Sequence, residues 1–183
     1  MHASIILIGP ISAGKTTVAE WLAARLNLPH VSMDDFRFTY YAEMGYDEQL
    51  AQRKRDEEGW WARYWYWKPF EAYAVGRLLN DHHNAVIDLG AGHSVYEDER
   101  LFQQVATVLA PYPHVVLLLP VPDVDESLRI LSSRDETAAA LREVNAHFLR
   151  HPSNYQLAKM VVYTQGKTPQ EVSDEIIRHI NQA

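Results

Sequence analysis

Residues Gly9 to Thr16 read Gly-Pro-Ile-Ser-Ala-Gly-Lys-Thr. This spacing, G-x-x-x-x-G-K-[ST], lets a turn of backbone N–H groups close around phosphate oxygens. Glycine is required where the backbone must approach the ligand, a condition Gly9 and Gly14 meet. Ser12, Ala13 and Gly14 would present backbone donors, Lys15 would place its ammonium on the β- and γ-phosphates, and Thr16 would give its hydroxyl to Mg²⁺. Thr17 adds another donor, and the positive end of the helix that follows adds to the attraction. A chance match in a chain this long is on the order of one in a hundred.

Carboxylates and cations elsewhere could complete a phosphoryl-transfer site. Asp34 and Asp35 follow a short apolar run, where an aspartate serves either as a helix cap or as the group that orients an acceptor hydroxyl. At least one of the two is expected at the acceptor hydroxyl. Asp88 ends another apolar run, where an unpaired carboxylate would be costly, so it is expected to serve Mg²⁺ or a metal-bound water. Arg134 and Arg150 are either surface ion partners or contacts to phosphate and substrate. His93 is either an acceptor-pocket contact or a hydrogen bond at a helix start. No N-K-x-D or L-S-G-G-Q segment occurs, so the layout is that of small-molecule and nucleotide kinases.

Short apolar runs alternating with helix-period segments must position these groups, the signature of a mainly parallel sheet covered on both faces. The expected strands are Ala3 to Ile8, His30 to Ser32, Ala85 to Asp88, Val115 to Leu119 and Met160 to Tyr163. Helix starts are marked by Ser94 with Glu97, Asp123 with Glu126, Ser133 with Glu136 and Thr168 with Glu171, pairs spaced for reciprocal capping. Lys68 before Pro69 is expected to bend the chain into a new helix. The 183 residues suit one α/β domain, with 47% hydrophobic and 22% charged residues. A net charge of −7 disfavours nucleic acid as a partner, and the absence of cysteine removes thiolate chemistry. Apolar runs too short to span a bilayer point to a cytoplasmic protein without membrane contact.

In order along the chain, the phosphate loop, Asp34, Gly-Ala-Gly-His-Ser at Gly90 to Ser94, the arginines near Arg134, and Arg-His-Pro-Ser-Asn-Tyr at Arg150 to Tyr155 make the sequence resemble the shikimate kinase branch of the nucleoside monophosphate kinase-like fold. The resemblance implies a three-layer α/β/α P-loop kinase fold with a five-stranded parallel sheet, an acceptor-binding helical flap at about 34–73 and a short lid at about 134–150. It implies ATP and Mg²⁺ as cofactors and a small-molecule acceptor as partner. It also implies that Asp34 contacts the phosphorylated hydroxyl, that Gly90 and Gly92 line the acceptor pocket, that Arg150 binds the substrate carboxylate, and that Arg134 reaches the phosphates.

The chain departs from the family pattern at Ser32, where an aspartate that helps hold Mg²⁺ is usual, and at Trp67-Lys68, which replaces a phenylalanine-arginine pair. Lysine lacks the planar fork that grips a carboxylate. Four of five tryptophans lie at Trp60, Trp61, Trp65 and Trp67. The expected acceptor is therefore larger than shikimate, with an apolar or aromatic face on some of these rings. The same run offers a homodimer contact. A nucleoside or nucleotide kinase and a non-catalytic nucleotide-binding regulator are the alternatives.

Overall fold

The computed structural model describes residues 4–134 and 136–182; Ala3 of the expected first strand and Asp135 of the expected lid lie outside the described residues. The strands are β1 (Ile5–Ile8), β2 (His30–Ser32), β3 (Val86–Asp88), β4 (His114–Leu119) and β5 (Met160–Tyr163). They form one parallel sheet in the order β2-β3-β1-β4-β5. The helices are α1 (Lys15–Leu26), α2 (Met33–Glu43), α3 (Glu48–Glu58), α4 (Trp60–Asp81), α5 (Glu99–Leu109), α6 (Val124–Arg134), α7 (Glu136–Ala140), α8 (Arg142–Arg150), α9 (Pro152–Leu157) and α10 (Pro169–Gln182), with a 3-10 turn at Ala91–Ser94. No helix among the described residues is long and apolar enough to cross a membrane.

Strand side chains alternate between two cores because successive Cβ atoms point to opposite faces. Ile5, Leu7, Val116 and Leu118 pack with Val18 and Leu22 of α1 and Val172 and Ile176 of α10. Ile6, Ile8, Ile87, Val115 and Leu117 pack on the other face with Val75 and Leu78 of α4, Val105 and Leu109 of α5 and Leu131 of α6. Each fully buried aliphatic side chain contributes roughly 1.5–3 kcal/mol, so the two layers dominate the fold's stability.

Pro69 does not end a helix, contrary to the expectation: α4 runs through it for 22 residues. A proline inside a helix deprives the carbonyl four residues earlier of its partner. Here that residue is Trp65, which is 50% exposed. The sheet-facing stripe of Ala72, Val75, Leu78 and Leu79, all buried, continues the helix past the break. Helix α4 thus runs past residue 73 into the core.

Two expected caps hold. Asp123 Oδ1 accepts from Glu126 N at 2.7 Å, and Thr168 and Glu171 cap each other reciprocally before Pro169. Two do not. Ser94 closes the 3-10 turn with its hydroxyl on Asn154, and α5 is instead capped by Asp98. Ser133 lies within α6, donating to Ile130 O.

Candidate active site

The sheet register brings the chemistry to one edge. In the three neighbouring strands Leu7 stands beside Asp88 and Asp88 beside Ser32, so the segments after Ile8, Ser32 and Asp88 leave the sheet side by side. Between them lies a cavity of about 530 Å³. One wall is formed by Ser12, Ala13, Gly14, Lys15, Thr16 and Thr17. The opposite wall carries Asp34, Arg37, Trp60, Arg63, Tyr64, Trp67, Glu71 and the segment Gly90 to His93.

On the first wall, Gly9 has φ +143°, and a Cβ there would meet Leu118 O at 2.5 Å, so only glycine lets β1 turn into the loop beside β4. Helix α1 begins at Lys15 with no capping side chain and no acidic residue in its first turn, which leaves its N-terminal donors to a ligand. Lys15 Nζ donates to Gly9 O at 3.0 Å and Pro10 O at 2.9 Å. Burial pushes the Lys15 ammonium down to about 8, against the pull of Asp88 and Asp34.

Asp88, 3% exposed, is the hub beneath the loop. Its Oδ1 accepts from Ser32 Oγ at 2.9 Å and Thr16 Oγ1 at 3.4 Å, and its Oδ2 meets His30 Nε2 at 2.6 Å. The Thr16 hydroxyl and the Asp88 carboxylate form the hard oxygen donor set that Mg²⁺ takes, so these residues fit the ion. Ser32, standing where the family pattern has an aspartate, holds Asp88 in place.

On the second wall, a Cβ at Gly90 would lie 2.6 Å from His93 Nδ1 and 3.4 Å from Asp34 Oδ1, so these atoms converge on one spot. His93 is 2% exposed, its Nε2 faces Tyr41 Oη at 3.0 Å, and burial pushes its pKa down to about 4, so the ring is neutral. Its Nδ1 is buried without a hydrogen-bond partner among the described residues. Asp34 pairs with Arg37 at 3.2 Å. Asp35 is exposed and does not line the cavity.

Three cations expected at the site do not line the cavity. Lys68 is 3% exposed and donates to Gly92 O at 2.8 Å, to Val95 O at 3.0 Å and to Glu71. An ammonium has three donors, and all three are used inside the protein. Lys68 thus pins the Gly92–Val95 turn, and the ring of Tyr64 lies 4.1 Å from its nitrogen. Arg150 is outside the cavity, donating to the exposed Asp125 at 2.6 Å. Arg134 contacts the phosphate loop without lining the cavity, donating to Ser12 O at 2.8 Å and Thr164 Oγ1 at 3.3 Å.

The arginines that line the second wall are Arg37 and Arg63, which sequence reasoning missed. The Nε atoms of both are buried with no hydrogen-bond partner among the described residues. Burial pushes the Arg63 guanidinium down, with Arg55 and Arg37 adding repulsion, so an arriving anion would relieve both. Arg63 also lies 4.4 Å over the Trp67 ring. The spacing held the signal: Trp60, Arg63, Tyr64, Trp67 and Glu71 recur at helical period on one face of α4. Trp61 packs edge-on against His147, and neither it nor Trp65 lines the cavity.

A phosphate loop facing an acceptor wall at the carboxyl edge of a parallel sheet defines a P-loop small-molecule kinase. The sequence pattern of the shikimate kinase family matches residues 11–181, and the chain belongs to that family. It is 24% identical to the shikimate kinase of Enterococcus faecalis over 98% of this chain and 99% of that one. It is 27% identical to that of Francisella philomiragia over 94% and 92%. In fold it is similar to shikimate kinase from Acinetobacter baumannii in complex with shikimate, with a TM-score of 0.63 at 20% identity, covering 98% of this chain and 93% of that chain. A gluconokinase from Sinorhizobium meliloti has a TM-score of 0.58 at 13% identity, covering 98% and 91%.

The placement of Lys68 makes its role structural. Lys68→Met is expected to cost about 3–5 kcal/mol, because Glu71 is left buried without its counter-charge. Adding Glu71→Leu should recover most of that loss, read by urea denaturation. A Lys68→Met protein of wild-type stability with weakened acceptor binding would return Lys68 to the acceptor wall.

Proposed function

We propose that the protein transfers the γ-phosphoryl group of ATP to a hydroxyl of a small hydroxylated carboxylic acid, with shikimate the acceptor. The observation that carries this reading is one cavity with the phosphate loop on one wall and Asp34, Arg37, Arg63 and His93 on the other. The shikimate kinases among its relatives support the choice of acceptor. The sequence expectation of a larger acceptor rested on Lys68 lacking a planar fork and on the run of tryptophans. Lys68 does not line the cavity, Arg37 and Arg63 do, and of the four tryptophans only Trp60 and Trp67 line it, which supports the smaller acid.

In this reading the loop N–H groups and Lys15 hold the triphosphate, and Thr16 and Asp88 would hold Mg²⁺, which would offset charge on the phosphates. Asp34 accepts a hydrogen bond from the acceptor hydroxyl and takes its proton as transfer proceeds. The unpartnered Nδ1 of His93 orients a second acceptor hydroxyl beside Gly90. The guanidinium groups of Arg37 and Arg63 bind the acceptor's carboxylate, with the Trp60 and Trp67 rings bounding its apolar face. Catalysis then comes chiefly from positioning and from charges already in place.

ADP release with shikimate, its neutral methyl ester and gluconate tests the proposal. Turnover is expected with shikimate, and Arg37→Ala and Arg63→Ala should each raise its KM about tenfold or more, one lost charged pair being worth roughly 1.5–3 kcal/mol, with ATP affinity unchanged. Equal turnover of the ester, or no turnover of shikimate, would contradict it.

A second expectation concerns pH. The phosphates favour the Lys15 ammonium, whose pKa in the free protein is about 8. ATP affinity should hold below that pH and fall as pH rises through it, by up to tenfold per unit. The dependence should disappear in Lys15→Arg, whose guanidinium stays charged. Wild-type affinity that is flat from pH 7 to 10 would refute this assignment.

A further inference from the structure

Asn145 of α8 is wholly buried, 134 residues from the phosphate loop in sequence, and both ends of its amide are spent on one loop residue. Its Oδ1 accepts from Ile11 N at 2.8 Å, and its Nδ2 donates to Ile11 O at 3.3 Å. The reversed amide would set two donors and two acceptors face to face, so the pairing fixes the orientation. The contact imitates a backbone pairing between strands, made by a side chain. The Ile11 side chain packs in a cluster that includes Val144 and Phe148 of the same helix, so α8 grips this residue by backbone and side chain together.

The loop needs such a grip. Ser12, next to Ile11, stands at φ +61°, a left-handed conformation that a residue with a side chain would leave in a free turn. Lys15 braces Gly9 O and Pro10 O, but an ammonium that turns to phosphate gives up those bonds. The Asn145 pair involves no group that a nucleotide would engage, so it persists when Lys15 moves.

We propose that Asn145 is a positioning residue for nucleotide binding: it holds Ile11 so that the loop N–H groups stay aimed into the cavity. This rests on the reading of that wall as the nucleotide site. Ile11 also lines the cavity, and a loop released at this point loses the inward set of the donors that follow it.

Two variants separate this role from simple packing. Asn145→Leu keeps the volume and removes both bonds; Asn145→Asp keeps an acceptor for Ile11 N–H and turns a second oxygen against Ile11 O. Each is expected to raise the Kd for Mg-ATP and the KM for ATP about tenfold or more, with the KM for shikimate within about twofold of wild type. Folded variants with wild-type ATP affinity, or with acceptor and nucleotide constants raised alike, would overturn the proposal. If neither variant folds, amide exchange on the wild-type protein decides. The Ile11 N–H should be protected without nucleotide and remain so with Mg-ADP, and exchange at the rate of an open loop overturns the proposal. Wild-type protein that fails to bind Mg-ATP would overturn the nucleotide-site reading as well, whereas wild-type binding with unaffected variants overturns the Asn145 role alone.

Discussion

The parallel register of β2, β3 and β1 is the constraint on which the site depends. With Ser32, Asp88 and Leu7 abreast, the chain leaves three adjacent strands at the same height. The phosphate loop, the Asp34 helix and the Gly90 turn must then face one another across a space of ligand size. A slip of one residue would turn every strand side chain to the opposite core, exchanging the α1 and α10 contacts with those of α4 and α5. The hydrophobic layers therefore hold the register, and the register holds the chemistry.

Helix α4 links stability to the acceptor wall. Its C-terminal half is core, and its N-terminal half presents Trp60, Arg63, Tyr64 and Trp67 to the cavity. At the join, Lys68 and Glu71 form a buried ion pair that fixes the Gly92–Val95 turn, where a Cβ on Gly92 would lie 2.5 Å from Glu71 Oε1. A buried pair of this kind adds little net stability over apolar residues, yet removing one member leaves a costly charge. Here the pair serves placement: it seats the segment that carries His93 and Gly90 beside Asp34.

Local signals made much of this legible from sequence. Short continuous apolar runs located the strands to within a residue or two, and the glycine-lysine-threonine loop lay where a strand must turn into a helix. The Asp123 and Thr168 caps follow from short-range spacing alone. What was hidden depended on distant partners. Lys68 reads as a free cation until Gly92, Val95 and Glu71 are folded around it, and Arg150 reads as a ligand until Asp125 is beside it. Arg37, one helical turn after Asp34, and Arg63, on the ring-bearing face of α4, were within reach of the same periodicity argument. They were missed because the family pattern drew attention to other positions. Pro69 misled for a different reason, since tertiary packing along α4 outweighs a local helix-breaking preference.

The central claim is that Asp34 acts across the cavity on the acceptor hydroxyl while the loop wall alone holds the nucleotide. A single-turnover measurement of phosphoryl transfer from ATP to shikimate, made in parallel with ATP binding on wild type and Asp34→Asn, tests it most directly. The account predicts ATP affinity within about twofold of wild type and a transfer rate reduced about a hundredfold or more, the usual scale for a lost general base. A variant that transfers at the wild-type rate, or that loses ATP binding instead, would contradict it.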